Sequence, residues 1–179
     1  GLNMVVHKGK TIFVGDTSVH EYPTSEQLSE IAISSARVVR LFGFDPKIAF
    51  VSHSTFGQPL TSRTKHIREA VDILKAKKVD FEFDGDMQPD VALSKEYKSL
   101  YPFSEIVGNA NILIMPGQHS AAISYKMMKT LGDTKVIGPL LIGLGLPIEI
   151  APLRSSTSEI INLASIAAYS ADVIEYKKY

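Results

Sequence analysis

The chain has 179 residues, 45% of them hydrophobic and 21% charged, the balance of a globular domain long enough to bury a substantial core. Nineteen basic residues face nineteen acidic ones, so the net charge is zero and the electrostatic footprint of a nucleic-acid or anionic-membrane binder is missing. There is no cysteine, which removes disulfides, thiolate metal sites and cysteine nucleophiles and fits a cytoplasmic protein. No apolar run approaches the roughly 20 residues of a membrane span, and no signal-peptide core opens the chain. GLNMVVHKGK running straight into TIFV reads as the middle of a longer polypeptide.

In chain order, TIFVGD (11–16) is a short β-rich run. Thr24-Ser25-Glu26-Gln27 has capping-box spacing and opens a helix whose apolar residues Leu28, Ile31, Val39 and Phe42 recur with helical period until Gly43. KIAFVS (47–52) is a buried-type strand, and Ser62 can cap a second helix with the stripe Ile67, Ala70, Val71, Leu74. DFEF (80–83) is strand-like, and a short helix covers 88–98. ANILIMP (110–116) and KVIGPLLIGL (135–144) are further buried strands, with a helix over 119–131 between them. IEIA (148–151) and a long Ala/Ile-rich helix to about 175 close the pattern. Continuous apolar strands alternating with helices predict an α/β fold, a mostly parallel sheet with helices on both faces.

Few segments have the composition of a chemical site. DFEFDGDMQPD crowds five carboxylates into eleven residues, but a calcium loop needs a bidentate Glu at its twelfth position, where this chain has Val91. Glu82, Asp84 and Asp86 alternate instead as the solvated acidic face of a strand end. The histidines at 7, 20, 53, 66 and 119 form no HxxxH or HxH pair, so no metal site is expected. GxSxG, GxGxxG and GxxxxGK[ST] are all absent. SHSTFGQP (52–59) gathers Ser52, His53, Ser54 and Thr55 after a strand, where open α/β sheets bind ligands; local turn bonding by the hydroxyls explains it equally well. In APLRSSTSEI (151–160), Ser156 to Glu159 has capping-box spacing, which sets Arg154 and Ser155 before four helix-end amides, an arrangement that favours anions. The plainer reading is a helix cap, with Arg154 paired to Glu159 or Asp172.

Three segments together, SHSTFG, FDGDMQPDVAL and GNANILIMP…ISYKMMKTLGDTKVIGPLLIGLGLPI, resemble the C-terminal region of the phosphate acetyl/butyryltransferase family in order and spacing, over residues from about 11 to 170. VSHSTFG and TIFVGDTSVHEYPTSEQLSEIA are most similar to the phosphotransacetylase-like tail of large bacterial NADP-dependent malic enzymes. The resemblance implies a fold like that of isocitrate and isopropylmalate dehydrogenases and a full unit about twice this length. Residues 1–145 would be its second subdomain, and 146–179 the strand and helix that return toward the first. Acetyltransferases carry a Ser-Arg-Gly run whose Ser and Arg handle the thiol and phosphate ends of the reaction. Those two positions fall here on Pro152 and Leu153, and the family's Asp on Glu159; Arg154 stands one residue late, Lys126 is kept, and Ala122 replaces an Asn.

The resemblance thus implies a non-catalytic module that senses acetyl-CoA or a related acyl-CoA. Its ligand residues would be Ser52, His53, Ser54, Thr55, Lys126, Arg154, Ser155 and Ser156, with no catalytic residue. The module would help form a homodimer or larger even-numbered oligomer, and its own segment would hold no cofactor. NADP and a divalent metal, Mg or Mn, would belong to the N-terminal half of the parent, which oxidatively decarboxylates malate to pyruvate. The alternative is an active phosphate acetyltransferase in which Arg154 stands in for the usual arginine.

Overall fold

A computed structural model describes the backbone of residues 1–176 and the side chains as far as residue 173. It shows a six-stranded sheet with helices on both faces. The strands are β1 (Leu2–His7), β2 (Lys10–Gly15), β3 (Lys47–Val51), β4 (Glu82–Met87), β5 (Ile112–Ile114) and β6 (Thr134–Leu140). The helices are α1 (Ser25–Leu41), α2 (Ser62–Lys77), α3 (Pro89–Leu93), α4 (Lys95–Lys98), α5 (Gln118–Leu131) and α6 (Thr157–Tyr176). Spatial order is β4-β3-β5-β2-β1-β6. β1 pairs antiparallel with both β2 and β6, while β2–β5, β3–β5 and β3–β4 are parallel, so five strands share one direction.

Strand alternation sorts the apolar side chains into two cores. Ile48, Phe50, Ile112, Ile114 and Phe13 face α1, α2 and α6, where Leu28, Val39, Ile67, Leu74 and Leu163 meet them. Ala49, Val51, Leu113 and Val14 point the other way, onto Val91 and Ala92 of α3 and Ala121 of α5. Both long helices of the first face start with reciprocal caps. Thr24 accepts from the Gln27 amide while the Gln27 side chain accepts from the Thr24 amide, and Thr61 and Thr64 do the same at α2. The cap of α2 is therefore Thr61, and Ser62 is its first helical residue.

Several elements depart from the pattern in the sequence. Leu2–His7 forms a strand that the lead-in NMVVHKGK conceals, and the turn Lys8-Gly9 returns it to β2. The acidic strand runs Glu82–Met87 rather than 80–83, and Asp84 and Asp86 are buried, not solvated. Asp86 accepts from the Ser54 hydroxyl and the Gly57 amide, and Asp84 from the amides of Gly85 and Glu105. Satisfied donors make buried carboxylates tolerable here. The expected helix over 88–98 is two, divided at Ser94, and IEIA makes only an isolated bridge, Leu140 with Glu149. Along helix α6, Ile160 and Ile161 are exposed and Leu163 alone among the described side chains is buried. Ile166 packs partly against the same core, while Ile160 and Ile161 stay open to solvent.

Two expectations follow. Replacing Asp86 by Ala leaves the buried Gly57 amide without its acceptor and takes the carboxylate from the Ser54 hydroxyl, and should cost about 3 kcal/mol in urea unfolding; Glu96→Ala on the surface should cost almost nothing, and equal effects would contradict the role given to Asp86. Glu149 is half-buried, and desolvation, against the Leu141 amide that donates to it, raises its pKa from 4.5 to about 7. The folded state then holds more protons than the unfolded one across that interval, so Glu149 lowers stability as pH rises from about 4.5 to about 7. Glu149→Gln keeps an acceptor for Leu141 and should melt higher than the wild type at pH near 8, with the difference vanishing toward pH 5; the opposite trend would refute the shift.

Candidate anion cleft

β6 is an edge strand, and its outer side, bridged by Glu149 at Leu140, forms the floor of a cleft along Val136 to Pro139. α5 leads into it on one face of the sheet and α6 packs on the other. Together with the turn at Pro152–Ser155 they enclose a cavity of about 220 Å³. α5 supplies Tyr125, Lys126 and Lys129, the floor is Val136 to Pro139, and Arg154, Ser155 and Glu159 come from the entry to α6. Gly138 is needed at the floor. Asn3 of β1 opposes both Gly138 and Pro139 in a bulge, and a Cβ on Gly138 would come within 2.5 Å of the Asn3 Oδ1. The φ of +125° at Gly138 adds to that demand.

The entry to α6 is capped as the sequence predicts. The Ser156 amide donates to Glu159 Oε2 at 2.8 Å, and the Glu159 amide donates to Ser156 Oγ at 3.3 Å. Glu159 also accepts from Lys129 Nζ at 3.0 Å, which ties α6 to α5 across the cleft. The Ser156 amide first, and then Lys129, hold the Glu159 carboxyl down at about 2, so it is an anion at any physiological pH and cannot serve as a general acid. With Lys129 so engaged, Glu159 is not the partner of Arg154. Among the described residues neither Arg154 nor Lys126 has a carboxylate within ion-pair distance. Two uncompensated cations thus share a small cavity, a setting that attracts anions. Pro152 lines the cavity without a hydroxyl, and Leu153 points wholly into solvent.

The other half of the expected ligand set lies elsewhere. Ser52, Ser54 and Thr55 are buried at the end of β3, and only the His53 side chain is exposed. Ser52 Oγ lies 3.2 Å from Ser54 Oγ, Ser54 bonds Asp86, and Thr55 Oγ1 accepts from the Gln88 amide at 3.2 Å. The turn is occupied in joining β3 to β4. Since β3 is four strand spacings from β6, about 19 Å at 4.8 Å each, it cannot share the cleft with Arg154 in this chain. The structure therefore brings Lys126, Arg154 and Ser155 together around the cavity and puts Ser156 in the cap beside it. Tyr125 and Lys129 were missed, although Lys126 and Lys129 stand at i and i+3 on one helix face, a spacing readable in the sequence.

The family model described as phosphate acetyl/butaryl transferase matches residues 1–168. An NADP-dependent malic enzyme of Rhizobium meliloti is 46% identical over 171 residues, covering 96% of this chain and 22% of that protein. A phosphate acetyltransferase of Bacillus subtilis is 32% identical over 93% of this chain and 52% of that protein. Among solved structures, a phosphotransacetylase from Streptococcus pyogenes superposes with a TM-score of 0.91 at 33% identity, over 96% of this chain and 53% of that one. The chain thus spans about a fifth of the malic enzyme and about half of the acetyltransferases. With the family model matched over residues 1–168 of 179, the chain belongs to the phosphate acetyl/butaryl transferase family.

Proposed function

We propose that this chain is the phosphotransacetylase-like C-terminal module of an NADP-dependent malic enzyme, that it binds acetyl-CoA or a related acyl-CoA, and that it performs no transfer itself. The observation that carries this reading is the cleft: Lys126 and Arg154 stand there without counter-charges, while the position that resemblance gives to the catalytic serine is Pro152. Cations and helix-end amides bind an anion without any nucleophile, so binding outlasts the loss of catalysis. A cavity of about 220 Å³ is too small for a whole acyl-CoA, since ligand pockets run from about 300 Å³ upward. In this reading the rest of the ligand lies against the preceding subdomain of an isocitrate-dehydrogenase-like unit, toward which 146–179 return; residues 177–179 of that segment lie outside the described ones. The uncovered face of α6 supports the same arrangement. One buried leucine is worth about 2 kcal/mol and Ile166 adds a partial contact, little to seat a twenty-residue helix, so Ile160 and Ile161 await another wall. Dimer or larger even-numbered assembly belongs to the same proposal.

NADP and the divalent metal, Mg or Mn, fall to the preceding part of the polypeptide; among the described residues no three His, Cys, Asp or Glu side chains converge as a ligand set. Acetyl-CoA then acts on malate turnover from a distance, which requires that it prefer one state of the whole enzyme. A coupling of about 1–3 kcal/mol would change malate affinity roughly 5–150-fold. Arg154 in the cleft is also the one observation favouring the alternative, an active transferase in which it replaces the arginine missing at 153.

Calorimetry and turnover on the intact polypeptide separate these readings. Wild type should bind acetyl-CoA, Arg154→Ala should bind it about tenfold more weakly and respond less in malate oxidation, and neither should hydrolyse acetyl-CoA in the presence of arsenate. Absence of binding, or identical responses of the two proteins, would sink the site; arsenolysis at ordinary enzyme rates would establish the alternative.

A further inference from the structure

A second and larger cavity, of about 590 Å³, lies on another side of the C-terminal end of α5. It opens where β2, β5 and β6 begin, and Met128 and Gly132 of α5 and its exit form one wall, so the same helix divides this groove from the anion cleft. Its base is Val5, Ile12, Leu93, Ala110 and Met128, an extension of the core on the α3–α5 face. The ionisable groups on its lining are His7 and Lys10; no aspartate or glutamate lines it. His7 Nδ1 is held 3.1 Å from the Asp133 carbonyl and 3.1 Å from Thr134 Oγ1. Lys10 is exposed and, among the described residues, makes no ion pair. Asn109 donates through Nδ2 to the Leu93 carbonyl at 2.7 Å, but its buried Oδ1 receives no donor.

An apolar groove within the usual range of ligand pockets, with one lysine among a few neutral polar groups at its rim, has the make-up of a small-molecule site. We propose that it binds a small amphipathic anion, a carboxylate on an unbranched apolar chain. The chain lies on Val5, Ile12, Leu93, Ala110 and Met128, and the carboxylate is met by Lys10 at the mouth. Charge complementarity favours an anion, because Lys10 stands exposed at the rim and no aspartate or glutamate lines the groove. The volume of about 590 Å³ favours a small molecule, since it lies within the range of ligand pockets. This site is independent of the acyl-CoA reading of the cleft, and either can fail alone.

Decanoate is the probe, measured by displacement of 8-anilino-1-naphthalenesulfonate fluorescence from the intact polypeptide, with decanol as the uncharged control of equal length. Decanoate should bind saturably. Lys10→Glu should weaken decanoate about fivefold or more, the effect of one solvated charge contact, while leaving decanol unchanged. Met128→Phe, which fills the base, should block both. The proposal is overturned if decanoate shows no saturable binding at millimolar concentration, or if Lys10→Glu binds it as the wild type does. It is overturned too if Met128→Phe changes the oligomeric state, because a second polypeptide then covers the groove. Should Met128→Phe fail to fold by circular dichroism, the Lys10→Glu comparison decides alone.

Discussion

Strand β6 has one neighbour in the sheet, β1, and the antiparallel pairing of Leu2–His7 with Thr134–Leu140 fixes where the outer edge of the sheet stands. Each part of the anion cleft refers to that edge. α5 can approach it on one face because Val5 and Val136 lie opposite each other and pack into the same core as Ala121 and Met128. α6 can approach on the other because Leu2 and Leu140 form a pair that meets Leu163. Between those two pairs the bulge at Gly138-Pro139 turns the strand at the floor of the cavity, with Asn3 filling the space that a side chain at 138 would take. A strand of six residues thus sets the separation of two helices whose polar ends carry the cations.

The polar residues of the chain divide by whether their bonding is complete. Ser54, Thr55 and Asp86 are buried and bonded to one another or to backbone, and their chemistry is spent on holding β3 to β4. Lys126 and Arg154 are exposed and uncompensated, while Lys129 and Glu159, beside them, neutralise each other and join the helices. Composition alone gives no means of telling these groups apart. Three hydroxyls and an imidazole near a strand end look as promising as an arginine before a helix cap, and only the partners separate a joint from a site.

The long elements were legible in the sequence because their signals are local. The apolar period of α1, the stripe of α2 and the Ser156–Glu159 cap all depend on residues three or four apart, and all three hold. β1 was not legible, since Asn3 interrupts its apolar run, His7 closes it, and its partners are β2 and a strand more than a hundred residues away. Asp84 and Asp86 were misread for a similar reason: alternation says which face they share but not that the Ser54 turn and the 105 loop cover that face. In the cleft, Arg154, Ser155 and Lys126 could be named from family resemblance. Lys129 and the floor at Gly138 required the sheet order, which no local pattern contains.

The central claim is that a site which has lost its catalytic serine still binds acyl-CoA at the edge of β6. Hydrogen exchange of the intact polypeptide with and without acetyl-CoA tests it most directly, because the amides that change locate the ligand without assuming any residue's role. The account predicts added protection in 125–129, 136–139 and 152–159, the three segments that wall the cleft, with the Ser52–Thr55 turn unchanged. Protection confined to the Ser52–Thr55 turn, or to segments outside this chain, would contradict it.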